Sequence, residues 1–152
     1  MTGLVALKLI HVACASVWFG ASWLAGADVR RTLALGRPHA DALPERISRL
    51  ERLAIPCGVL TLLTGLGLAE CTYGLGALPT RLYGVLGFTL AAMAVGALLV
   101  SPSWRRVAAV IEKGQDLQTA FGPAIRFGRS LWLEHGLRLA ALALVVGRGA
   151  GV

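Results

Sequence analysis

Charge is scarce in this chain of 152 residues: Asp, Glu, Lys and Arg make up 15% of it, against 56% hydrophobic residues, and the mean hydropathy is +0.69. That balance argues against a water-solvated surface and for an integral membrane protein. Cysteine is equally sparse. Cys14, Cys57 and Cys71 cannot build a disulfide framework, and the first two fall inside apolar helical stretches, where a thiol packs as a small hydrophobe. CxxC, HExxH, Walker and GxSxG patterns are all missing, so the familiar motifs of soluble enzymes offer nothing. The net charge of +7 is not gathered into an aromatic-interleaved basic patch, which excludes nucleic acid as a partner.

What is present is a set of long uncharged runs. Leu9 to Ala27, Leu53 to Ala69 and Leu82 to Trp104 each approach the ~20 residues needed to cross a hydrocarbon core. A fourth, from Ser130 to Gly147, is interrupted by Glu134, His135 and Arg138. Basic residues flank the runs: Arg30, Arg31, Arg37, Arg46, Arg49 and Arg52 lie between the first two. Arg105, Arg106, Lys113, Arg126 and Arg129 lie between the last two, while 71–80 has neither Lys nor Arg. The positive-inside rule makes both basic connections cytoplasmic. The expectation is an all-α, integral membrane, up-down four-helix bundle, N-out/C-out, one domain over 1–152, with spans near 4–27, 52–71, 81–102 and 128–147. A bacterial inner (cytoplasmic) membrane is the expected location, with the lipid bilayer as partner. A cleaved leader ending in the small residues at 24–27 is rejected, because Lys8 is outweighed by Arg30 and Arg31 on the wrong side.

Local signals refine this outline. Asp41 and Pro44 mark a helix start, and Glu45 can pair with Arg49 one turn on. Pro56 predicts a kink where this helix enters span two. Gly58, Thr61, Gly65 and Gly67 in span two and Gly84, Gly87, Ala91, Ala92 and Gly96 in span three suit close helix approach, so the two spans are expected to form a tight pair. Trp104, Val107, Ala108 and Ile111 make an apolar stripe of the kind an interfacial helix shows. Trp23, Trp104 and Trp132 read as belt residues.

Ionisable groups inside a bilayer are costly unless paired or ligated, so they are functional candidates by default. Lys8 and His11 share a face of span one, as His135 and Arg138 do in span four. With the spans antiparallel, both present a histidine deeper and a cation nearer the outer surface. That arrangement fits haem b between the helices: His11 and His135 as axial ligands of the iron, Lys8, Arg138 and Arg81 as propionate partners, and Trp18 lining the porphyrin pocket. Ligation by His11 alone remains open. The plainer alternative is that Glu134 pairs with Arg138 as a structural salt bridge. His39 lies in a polar loop and reads as solvated.

The stretch from Leu7 through Lys8 and His11 to Val12, followed by Val17-Trp18-Phe19-Gly20, resembles the first helix of the small membrane proteins related to HemJ-type protoporphyrinogen oxidase and to the CopD copper-resistance domain. Leu50 to Pro56, leading to Leu63-Thr64-Gly65-Leu66, is similar to their second helix. The resemblance implies a haem-associated or copper-associated bundle with Lys8 and His11 as the functional pair of the first helix. Span three carries Arg81 but no histidine, and Met93, Cys14 and Cys57 form no ladder of copper ligands. The leading expectation is therefore a haem b protein transferring electrons, alongside other subunits of a redox complex or as a homo-oligomer. A HemJ-like oxidase, a copper permease and a cofactor-free accessory subunit are the alternatives; catalytic residues are not identified.

Overall fold

A computed structural model describes residues 2–147. The chain is all-α and 91% helical, with no strand among the described residues. Its helices are α1 (Thr2–Trp23), α2 (Ala25–Ala34), α3 (Leu43–Tyr73), α4 (Thr80–Val95), α5 (Ser101–Glu112) and α6 (Phe121–Val146). They join into four rods. Thr2–Ala34, Ala40–Tyr73 and Thr80–Glu112 are long and apolar enough to cross a membrane. The fourth rod, α6, carries Arg129, Glu134 and Arg138 along its length and does not meet that measure.

Breaks in the rods have local causes. Leu24 interrupts the first, between α1 and α2. The third contains a π-helical segment, Gly96–Val100, whose closing bond runs from the Ser101 N–H to the Gly96 carbonyl. Pro102 follows at once and has no N–H for the carbonyl four residues back, so the turn before it widens. α3 begins at the expected place, with Pro44 in its first turn, and continues as one helix through Pro56. Gly74 ends it at φ 73°, a backbone region that favours glycine.

Packing pairs the rods differently from the order of the chain. α1 lies antiparallel on α3, with Leu7 over Gly67, the His11 ring over Gly65 and the Trp18 indole over Gly58. α4 lies likewise on α6, with Leu144 over Gly84 and the Glu134 carboxylate over Gly96. The expected tight pairing of spans two and three is therefore corrected: α3 and α4 scarcely touch. Their glycines make room for large side chains of α1 and α6 instead of for each other's backbones.

The main hydrophobic core cluster lies at the end bearing the basic connections. Val29 and Leu33 of α2, Leu43 and Ile47 of α3, Trp104, Val107 and Ile111 of α5, and Phe127 and Leu131 of α6 meet there. This corrects two further expectations. The stripe of α5 faces into the bundle rather than lying on an interface, because α2 and α6 supply it with apolar partners, and Trp104 is a core residue rather than a belt residue. Trp23 and Trp132 do stay exposed, and they touch edge to face. Toward the opposite end the pattern inverts: Leu4, Val5, Leu9, Ile10 and Val12 of α1 all face outward.

Leu43 is fully buried and Leu63 is 58% exposed. Leu43→Ala should remove about 2–5 kcal/mol, lowering the thermal midpoint of the detergent-solubilised protein by roughly 5 °C or more. Leu63→Ala should leave that midpoint nearly unchanged.

Candidate functional site

Three ionisable side chains of α6 are buried together: Glu134, His135 and Arg138 are 5%, 2% and 3% exposed. The helical spacing of 134 and 138 brings the carboxylate and guanidinium together as an ion pair, the pairing the sequence offered as the plainer reading. Arg138 also reaches across to α1. Its Nη1 donates to the Trp18 carbonyl at 2.9 Å and to the Ser22 hydroxyl at 3.1 Å, and its guanidinium carbon stands 4.2 Å from the centre of the Trp18 ring. A helical carbonyl keeps a second lone pair after its i+4 bond, so α1 accepts this contact without unwinding. His135 Nε2 lies 3.4 Å from the Ser22 carbonyl, and its ring packs 4.9 Å from that of Trp23. Two buried atoms of the cluster, His135 Nδ1 and Arg138 Nε, have no hydrogen-bond partner.

The ion pair walls a cavity of about 280 Å³. Trp18, Ser22 and Gly58 form one side of it, and Met93, Gly96 and Ser101 form the other. Glu51 lines it as well, so two carboxylates and one guanidinium share one small space. Both irregular stretches of backbone adjoin it: Ser22 stands just before the break at Leu24, and Gly96 opens the π-helical segment.

His11 belongs to a different level. Its Nδ1 is 3.0 Å from Thr64 Oγ1. That hydroxyl donates its own proton to the Leu60 carbonyl, so it accepts from the imidazole N–H and leaves the lone pair on His11 Nε2. Lys8, one turn away, is exposed, and Arg81 is half-buried at the start of α4, which packs on α6 rather than α1. Neither cation has an ion-pair partner among the described residues. His39 is exposed.

The six residues singled out by sequence thus fall in three places. Trp18, His135 and Arg138 come together, while Lys8 and His11 sit further along α1 and Arg81 stands on another rod. From His11 to Ser22, where His135 docks, α1 advances about 16 Å at ~1.5 Å per residue. In this register the two imidazoles stand too far apart to bind one iron together, which leaves ligation by His11 alone, the alternative the sequence kept open. Arg138 is bonded to Glu134, Trp18 and Ser22 rather than left for a propionate. Trp18 does wall a cavity, but His11 and His135 do not line it, and its volume falls below the ~300–1,000 Å³ usual for ligand pockets. Cys14 and Cys57 come within hydrogen-bonding reach of each other. No group of three or more His, Cys, Asp or Glu among the described residues is placed to share a metal.

Sequence reasoning missed Ser22, Glu51 and Thr64. Glu51 and Thr64 lie in the stretches that resemble a second helix but were given no role of their own, and Ser22 carried no signal beyond its position in span one. Comparison with protein-family models, with curated proteins and with solved structures finds no match.

Removing one member of a buried ion pair strands the other. Arg138→Met alone should destabilise the fold by about 3–5 kcal/mol, and adding Glu134→Gln should restore a large part of the loss. Denaturation of the single and double variants in detergent gives the coupling as a double-mutant cycle.

Proposed function

We propose that this chain is a four-span integral membrane protein, N-out/C-out, that handles protons or a small cation in the chamber between Glu51, Glu134 and Arg138. Three rods have the length and hydropathy to span. The fourth spans because Glu134 and Arg138 are turned inward and bonded to each other, as charges within membrane proteins are, while Arg126 and Arg129 stand at its basic end. Both basic connections lie at one end, and the positive-inside rule assigns that end to the cytoplasm of a bacterial-type inner membrane. The apolar residues facing outward on α1 then meet lipid.

One observation carries the functional reading: the two carboxylates border a single cavity at the level of Trp18 and Ser22, about halfway along the first apolar run. Proton and ion pathways in membranes are built from such groups, and transport sites favour broken helices, whose freed backbone groups face the site. Here the Leu24 break and the π-helical segment flank the chamber. From Trp18 the chamber extends toward Glu51, on the side of the basic end, with the Arg138–Glu134 pair closing its deeper side.

A second reading draws on His11. A ligating imidazole is commonly held by a hydrogen bond to its other nitrogen, and Thr64 supplies that bond at 3.0 Å. A haem b bound through His11 Nε2 alone, with Lys8 toward a propionate, keeps the electron-transfer role without His135.

Proteoliposomes loaded with a pH-sensitive or a cation-sensitive dye test the first reading. A potassium diffusion potential should drive proton or cation entry in the native protein, and Glu134→Gln or Glu51→Gln should reduce it at least about tenfold. Absence of flux, or flux indifferent to both substitutions, would contradict the proposal. A Soret band that disappears in His11→Ala would favour the second reading.

A further inference from the structure

A second cavity, of about 270 Å³, lies on the outside of the bundle at the basic end, between α6 and the junction of the π-helical segment with α5. Arg126, Arg129 and Ser130 line it from α6, at spacings that put them on one helical face. Ser103 and Arg106 line it from α5, and Leu98 and Leu99 close the side toward the apolar part of the rod.

Three arginines elsewhere at the same end are neutralised. Arg37, Arg46 and Arg49 each hold a carboxylate, of Asp41, Asp28 and Glu45. Arg106, Arg126 and Arg129 hold none among the described residues, although three guanidinium groups around one cleft repel one another. An anion in the cleft would remove that repulsion and accept charge-assisted hydrogen bonds from the arginines and the two serine hydroxyls. The leucines say which anion. Leu98 is 71% and Leu99 45% exposed, an apolar flank continuous with the lipid-facing surface. Exposed Trp132, one turn from Arg129 on α6, marks the depth at which aromatic belts meet headgroups.

We propose that this cleft binds the phosphodiester headgroup of an anionic phospholipid in the cytoplasmic leaflet, with its acyl chains along Leu98 and Leu99. Basic pockets between helices on this side of a membrane are built for that chemistry. The inference rests on the membrane placement given above but not on proton handling in the inner chamber.

Alkaline carbonate extraction of membranes containing the full chain checks the placement first: release into the wash would overturn the membrane reading and this inference with it. Native mass spectrometry of the detergent-solubilised chain then reads the site. Phosphatidylglycerol should bind at least about tenfold more tightly than phosphatidylcholine, and Arg126→Ala with Arg129→Ala should abolish the preference without moving the thermal midpoint of the delipidated protein. Should the alanine pair not accumulate, Arg126→Lys with Arg129→Lys should keep a reduced preference, since charge remains but the bidentate fork is lost. Equal binding of the two lipids, a preference unaffected by either pair of substitutions, or full displacement by millimolar inorganic phosphate would overturn the proposal, the last in favour of a soluble anion.

Discussion

Withdrawing a guanidinium from water costs several kcal/mol unless it is paired and hydrogen-bonded, and the arrangement of this bundle follows from how Arg138 is held through Nη1 and Nη2, with its Nε left unpartnered. Glu134, one turn earlier on the same helix, neutralises it. The Trp18 carbonyl, the Ser22 hydroxyl and the Trp18 ring accept it from α1. All of these contacts are made in one register of α6 against α1, and a slip of a turn would break them, so the cluster ties the α1–α3 pair to the α4–α6 pair at that depth.

On either side of this junction the bundle is held together by different means. Toward the basic end, four amphipathic helical segments bury Val29, Leu43, Val107 and Phe127 in an ordinary apolar core. Toward the other end each pair closes on itself through glycines that admit a single large side chain, as Gly65 admits His11 and Gly84 admits Leu144. That second mode suits hydrocarbon, where close packing rather than water exclusion holds helices together. The ion pair stands between the two regimes and supplies a polar wall to a cavity deep in the apolar part of the rods. The charge cluster that joins α6 to α1 and the polar wall of the cavity are thus one construction, and the external arginine cleft lies toward the basic end of the same rods.

Much of the architecture was legible because it depends on composition along the chain. The apolar runs, the helix start at Pro44 and the Glu134–Arg138 pairing are local, and each emerged in the structure. Pairwise associations between rods were not legible. Gly58 and Gly65 announced close approach but not by whom, and α1, not α4, fills the space they leave. The stripe at Trp104, Val107 and Ile111 had a clear face, yet nothing in the sequence said whether protein or lipid would cover it. Depth was the decisive gap. Lys8 with His11 and His135 with Arg138 look alike when each helix is read alone, and only the register of α6 on α1 separates them by several turns.

Cross-linking with a short bismaleimide tests that register most directly, in a background with Cys14, Cys57 and Cys71 replaced by serine. Ser22→Cys paired with His135→Cys is expected to link efficiently, since the His135 ring reaches the Ser22 carbonyl. His11→Cys paired with His135→Cys is expected to link poorly, since ~16 Å of helix rise separates their levels. Efficient linkage of 11 with 135, and none of 22 with 135, would contradict the account and return the two imidazoles to a common level.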